Sequence, residues 1–168
     1  MLKPEILHFL AQQQRRLDDF IYKKKNIKFD STISNKKIIA FFVELGEFIN
    51  EEKSFKFWSQ KPSSERSVLL EEYIDGIHFI VSIGNEVGYN FLEYPAATFN
   101  KNLSIEIIYF NIIQSLASYI LDKTVFNYQN LLRDFLTISQ AFDFTEEEII
   151  GAYNKKNKIN FNRQEENY

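Results

Sequence analysis

The sequence predicts an all-α protein, a helical bundle, and three observations carry that prediction. Five glycines and three prolines in 168 residues are too few to punctuate a run of short strands, whereas helices need few such breaks. Apolar residues recur three and four positions apart over long stretches, the spacing of a helix face. Short β-branched runs separated by glycine turns, which a βαβ arrangement needs, are missing. With 45% apolar residues, a chain of this length supports one core, so a single domain over 1–168 is expected.

The first helix is expected from Pro4 to about Lys25, with Ile6, Leu7, Phe9, Leu10, Leu17, Phe20 and Ile21 on its apolar side and Pro4 accommodated in the first turn. Residues 26–34 read as a polar turn, and Ser34 is placed to cap a second helix from about Asn35 to Glu52. Pro62 breaks the pattern, and Ser64 is placed to cap a third helix that runs to about residue 87. Gly88 and Pro95 mark a connector over 88–102. Ser104 opens a fourth helix ending near Leu121, and residues 124–141 form a fifth amphipathic stretch. Thr145 with Glu148 three residues later is a capping-box signature for the sixth. Helices two and three read as the most apolar.

Composition excludes several kinds of chemistry. The absence of cysteine removes disulfides, thiolate zinc sites and cysteine nucleophiles, and two histidines cannot build a histidine-rich cage. Any metal site must lean on oxygen ligands. Twenty basic against 23 acidic residues is too balanced for a broad nucleic-acid footprint, so no nucleic-acid partner is expected. Basic residues do gather at Lys23, Lys24 and Lys25 and at Lys155, Lys156, Lys158 and Arg163, where each run by itself reads as a solvated helix end. The N-terminal segment turns polar after ten residues, and no stretch reaches the ~18 apolar residues of a membrane helix, so a soluble cytoplasmic protein without a membrane partner is expected. On that reading the Asn-Leu-Ser triplet at Asn102 is not a glycosylation site. Aromatic content is high, at 16%.

The informative feature is the placement of acids. Glu44 and Glu47 lie three apart among Phe41, Phe42, Val43, Leu45, Phe48 and Ile49, and so share a helix face. Glu72 and Asp75 repeat the spacing among Leu69, Leu70, Tyr73, Ile74, Ile77, Phe79 and Ile80. Carboxylates on largely apolar helices are costly unless compensated, and an acid-only quartet calls for hard cations such as Mg²⁺ or Mn²⁺. A single such pair also fits the solvated stripe of an amphipathic helix; two pairs make that reading weaker.

The order of these pairs, Glu44-Leu-Gly-Glu47 followed after 24 residues by Glu72-Tyr-Ile-Asp75, resembles the signature of the all-α NTP pyrophosphatases, the group that includes MazG and the dimeric dUTPases. The words FVELGEFINEEKSFKFWS and LEEYIDGIHFIVSIG resemble the metal-binding helices of dimeric dUTPases from Gram-positive bacteria and their phages. The tail is similar to that family's C-terminal signature at Tyr153, Lys156, Asn157, Asn160, Arg163, Gln164 and Tyr168, with Asn167 where the family has glycine.

The resemblance implies a four-helix metal-binding core and Mg²⁺-dependent hydrolysis of dUTP to dUMP and pyrophosphate by a homodimer. It implies that Glu44, Glu47, Glu72 and Asp75 bind metal, and that Glu47 orients or deprotonates the attacking water. It further implies a base contact from Gln14, with Asp18 one turn later on the same face and Gln13 where the family has leucine. Lys156 and Arg163 become phosphate contacts, and Asn157 and Asn160 offer amides to read base or sugar. Lys56 reads equally as a phosphate contact or as an exposed loop lysine, and Trp58 as a wall of the base pocket or as a core residue. His78 reads equally as a residue behind the metal ligands or as a core histidine. Two alternatives stay open: a MazG-like pyrophosphatase acting on dCTP or a damaged nucleotide, and a phage-type relative whose main role is to bind a repressor protein.

Overall fold

The computed structural model describes residues 2–95 and 103–166; Asn102, Asn167 and Tyr168 lie outside them. The described residues form six α-helices and no strand: α1 (Pro4–Lys24), α2 (Ser31–Glu52), α3 (Arg66–Val87), α4 (Ile105–Leu121), α5 (Val125–Ala141) and α6 (Glu146–Glu165), with one 3-10 turn at Phe91–Glu93. The all-α prediction holds.

Three starts differ in detail from the expectation. α2 begins at Ser31, because the Asp30 side chain accepts hydrogen bonds from the Thr32 and Ile33 backbone N–H groups, at 2.8 and 3.0 Å, and so caps the helix four residues ahead of Ser34. Ser64 does not cap α3. Its hydroxyl donates to Glu51 and accepts from the Lys53 ammonium at 2.6 Å, tying the 53–65 loop to the end of α2. At α4, Ser104 stands in the cap position without a side-chain cap bond. The α6 capping box forms as expected, with Thr145 and Glu148 exchanging bonds.

α3 is the central helix, because from Tyr73 to Gly84 it is apolar or small on nearly every side and buried almost throughout. α1, α2, α5 and α6 pack around it, and α4 packs on α5. Two glycines allow the close approach: Gly76 faces the Phe135 ring, and Gly84 faces Tyr128 and Phe91, with no room for a Cβ at either. Tyr73 stacks on Phe135, and Tyr128, wholly buried, donates its hydroxyl to the Ile80 carbonyl at 3.0 Å. Much of the high aromatic content is therefore core.

α2 is less enclosed than its sequence suggests. Ile38, Phe41, Leu45 and Phe48 face α3, while Ile39, Phe42 and Val43 are exposed. The most apolar helix is α4, and it too leaves Ile107, Phe110 and Ile113 exposed. Tyr109 near the start of α4 donates to Glu52 at the end of α2, and Lys123 just past α4 donates to Asn35 near the start of α2. The two helices thus point in opposite directions, joined by side chains near their ends.

Candidate active site

The α2–α3 packing that buries Phe41, Leu45, Tyr73 and Ile77 also sets the acids of the two helices against each other. One carboxylate oxygen each from Glu44, Glu72 and Asp75 lies within 4.8 Å of the other two. All three are half-buried, and their mutual charge shows in their acidities. Burial, and then the charges of Asp75, Glu47 and Glu72, push the Glu44 carboxyl up to about 7. Burial, Asp75 and Glu47 raise Glu72. Asp75 is also raised by burial, although the Lys156 ammonium pulls the other way. Three converging oxygens that resist ionisation together fit a hard divalent cation, whose charge would relieve the repulsion. Glu47 stands apart from this trio: it is exposed, one turn along α2, and close enough to influence Glu44 and Glu72.

Beside the trio opens a cavity of about 390 Å³, reached by α1, α2, α3 and α6. Its wall combines Glu44, Asp75 and Lys156 with a buried polar network. Gln14 Nε2 donates to Asp18 at 2.8 Å, and Gln14 Oε1 accepts from the Tyr153 hydroxyl at 3.0 Å and lies 2.7 Å from His78 Nδ1. Asp18 also accepts from the Ser82 hydroxyl and from the Lys37 ammonium at 3.0 Å. Lys37 pairs with Glu86 as well and sits over the Tyr22 and Phe29 rings. Burial works against the Lys37 charge, but Asp18 and Glu86 outweigh it and hold its pKa above the ordinary range.

Residues 6–168 match the family whose model is described as dUTPase. The protein is a member of the dUTPase family. It is therefore a hydrolase of dUTP, a dUTP diphosphatase, and the match spans every element from α1 onward. No curated protein matches the chain.

In this dUTPase the remaining residues implied by the resemblance fall into two groups. Gln14, Asp18, Lys156, Asn160 and Arg163 line the cavity. Lys156 donates to Asp75 at 2.6 Å and to Glu71 at 3.0 Å, so its ammonium reaches the carboxylate cluster itself. Asn157 is buried behind them, with an Oδ1 that has no partner among the described residues. Lys56 and Trp58 are elsewhere. Lys56 binds the Asn50 carbonyl and side chain, at 3.2 and 2.7 Å, and Trp58 is 66% exposed, stacked edge-on with Phe55 and Phe57 and not part of the core. Neither lines the cavity of its own chain.

Lys37, Ser82 and Tyr22 were not singled out from the sequence. Lys37 carried a usable signal: it lies seven residues before Glu44, two turns back on the same face. That signal was hidden by starting α2 at Asn35, which makes Lys37 look like part of a solvated first turn. Ser82 has no comparable signature, since only the α1–α3 contact brings it to Asp18.

Proposed function

We propose that this single-domain dUTPase works with Mg²⁺, or Mn²⁺ in its place, held by Glu44, Glu72 and Asp75 with Glu47 beside them. The observation that carries this is the convergence of three half-buried carboxylate oxygens at one end of a nucleotide-sized cavity. A bound divalent cation supplies positive charge for the triphosphate and polarises a water for attack. The chain's own groups do the rest. Glu47, outside the trio and open to solvent, orients the attacking water and takes its proton. Lys156 and Arg163 approach from α6, where an ammonium and a guanidinium can hold phosphate oxygens. Gln14, Asn157 and Asn160 supply amide donors and acceptors for base and sugar.

A homodimer is supported by the apolar side chains exposed on neighbouring helices, Ile39, Phe42 and Val43 on α2 and Ile107, Phe110 and Ile113 on α4. In such a dimer Lys56 and Trp58, which miss their own cavity, are free to serve the second site. Among the described residues no helix is long and apolar enough to cross a membrane, which agrees with a cytoplasmic enzyme.

The test is pyrophosphate release from each dNTP and UTP, with Mg²⁺ or with EDTA. Turnover of dUTP that stops in EDTA is expected, and Glu47→Gln should lower kcat by at least ~100-fold with the fold intact. Faster turnover of dCTP than of dUTP would sink the substrate assignment, and a near-normal rate in Glu47→Gln would sink the role of Glu47. A wild-type protein inert toward every nucleotide would turn the reading toward repressor binding.

A further inference from the structure

His78 lies one turn beyond Asp75 on α3, 4% exposed, with its ring stacked on Tyr153 at 4.2 Å, and it is one of the residues that line the cavity. Its Nε2 has no hydrogen-bond partner among the described residues. Buried polar atoms are rarely left this way, and one on a residue that lines a substrate cavity points to a ligand that completes it.

The neighbours decide what kind of atom Nε2 is. Asp18 receives the Lys37 ammonium and the Ser82 hydroxyl, and a carboxylate in that setting only accepts. The Gln14 amide must therefore turn its NH₂ toward Asp18, which leaves Oε1 facing Tyr153 and His78. An amide oxygen also only accepts. His78 must then carry its proton on Nδ1, and Nε2 is a bare lone pair. Burial, reinforced by the charge of Lys156, pushes the imidazole pKa down to about 3, so the ring stays neutral around pH 7.

We propose that Lys37, Asp18 and Gln14 lock His78 as a hydrogen-bond acceptor that takes the N3–H of the uracil base and so selects uracil against cytosine. Uracil presents a donor at N3, whereas cytosine presents a lone pair there, and two opposed lone pairs in a buried site repel. The device does not separate uracil from thymine, which share the same N3–H. The inference rests on the cavity beside the carboxylates being the base site. His78 is then a specificity residue, Lys37 and Asp18 are positioning residues, and Gln14 positions the imidazole through its Oε1 while its second amide N–H is the group left for the base.

Two measurements test it. Long-range ¹H–¹⁵N correlation on ¹⁵N-labelled wild-type protein should show His78 protonated at Nδ1; protonation at Nε2 overturns the proposal without any substitution. Separately, kcat/KM for dUTP and dCTP should be compared between wild type and His78→Phe, which keeps the ring on Tyr153 and removes the acceptor. The dUTP value should fall about 10- to 100-fold with the dCTP value unchanged or higher, so that their ratio drops. A parallel fall for both substrates means a structural role and refutes the selection. Lys37→Met should move the same ratio in the same direction, and its failure to do so refutes the positioning chain. Failure of the substrate assignment is seen first and separately, as wild-type protein that does not prefer dUTP.

Discussion

Glu44→Gln should make the protein more stable without divalent metal and less able to gain from it. The Glu44 carboxyl moves from 4.5 to about 7 on folding, chiefly through burial and then through its acidic neighbours. An acid whose folded value is raised destabilises the fold once ionised. The loss begins as pH rises past 4.5, where the unfolded chain gives up its proton first, and is complete above about 7. At about 1.4 kcal/mol per pKa unit this amounts to about 3 kcal/mol. Because the side chain is only half-buried, solvent screening reduces this to about 1–2 kcal/mol. At this chain length that is a rise in Tm of about 2–8 °C. The assay is thermal unfolding of wild type and Glu44→Gln in EDTA at pH 8 and pH 5, repeated with Mn²⁺ at pH 8. The variant should lead clearly at pH 8 and much less at pH 5, where folded wild type already holds the proton. With Mn²⁺ the order should reverse, since binding to the folded state stabilises only the protein that retains the ligand. A variant less stable than wild type in EDTA at pH 8, or one with the same lead at both pH values, would refute the account of the carboxylate cluster.

Gly84→Ala should destabilise by about 1–3 kcal/mol, because the added methyl meets the Tyr128 hydroxyl and the Phe91 ring where α3, α5 and the 3-10 turn converge; an unchanged denaturation midpoint would contradict that packing. His78 is neutral in the fold and charged below 6.5 in the unfolded chain, so wild type should lose about 1.4 kcal/mol per pH unit relative to His78→Phe from pH 6.5 down toward 3. Urea unfolding at several pH values reads this directly, and parallel curves would refute it. The proposed homodimer should appear in sedimentation velocity of the wild type and be lost when lysine replaces both Phe42 and Phe110; a monomeric wild type would refute the dimer, and a variant still dimeric would move the interface elsewhere.

Helix number and most helix boundaries were legible in the sequence, because they depend on local terms: apolar spacing, the scarcity of glycine and proline, and the Thr145–Glu148 box. Where the local reading slipped, a side chain with two competing roles was responsible. Asp30 and Ser34 are both good caps, and Asp30 wins by holding two N–H groups at once. Ser64 is a good cap by residue type, but Glu51 and Lys53 claim its hydroxyl. The acidic pairs were visible for the same reason, since a spacing of three on a helix fixes a shared face.

The helices, the two carboxylate pairs and the exclusion of thiolate chemistry are properties of residue type and spacing, and the sequence by itself determined them. Only the packing of α2 on α3 decided that Glu44, Glu72 and Asp75 converge while Glu47 stands outside. Side chains three apart share a face but differ by about 60° around the axis and about 4.5 Å along it, so spacing alone does not say which of them reaches an oxygen on the neighbouring helix. The way α3 lies across α2 brings both of its acids to Glu44 and leaves Glu47 exposed. Only the meeting of α1, α2 and α3 joined Lys37, Asp18, Gln14, Ser82 and His78 into one network, because hydrogen bonds between residues up to 64 positions apart leave no periodic trace in the chain.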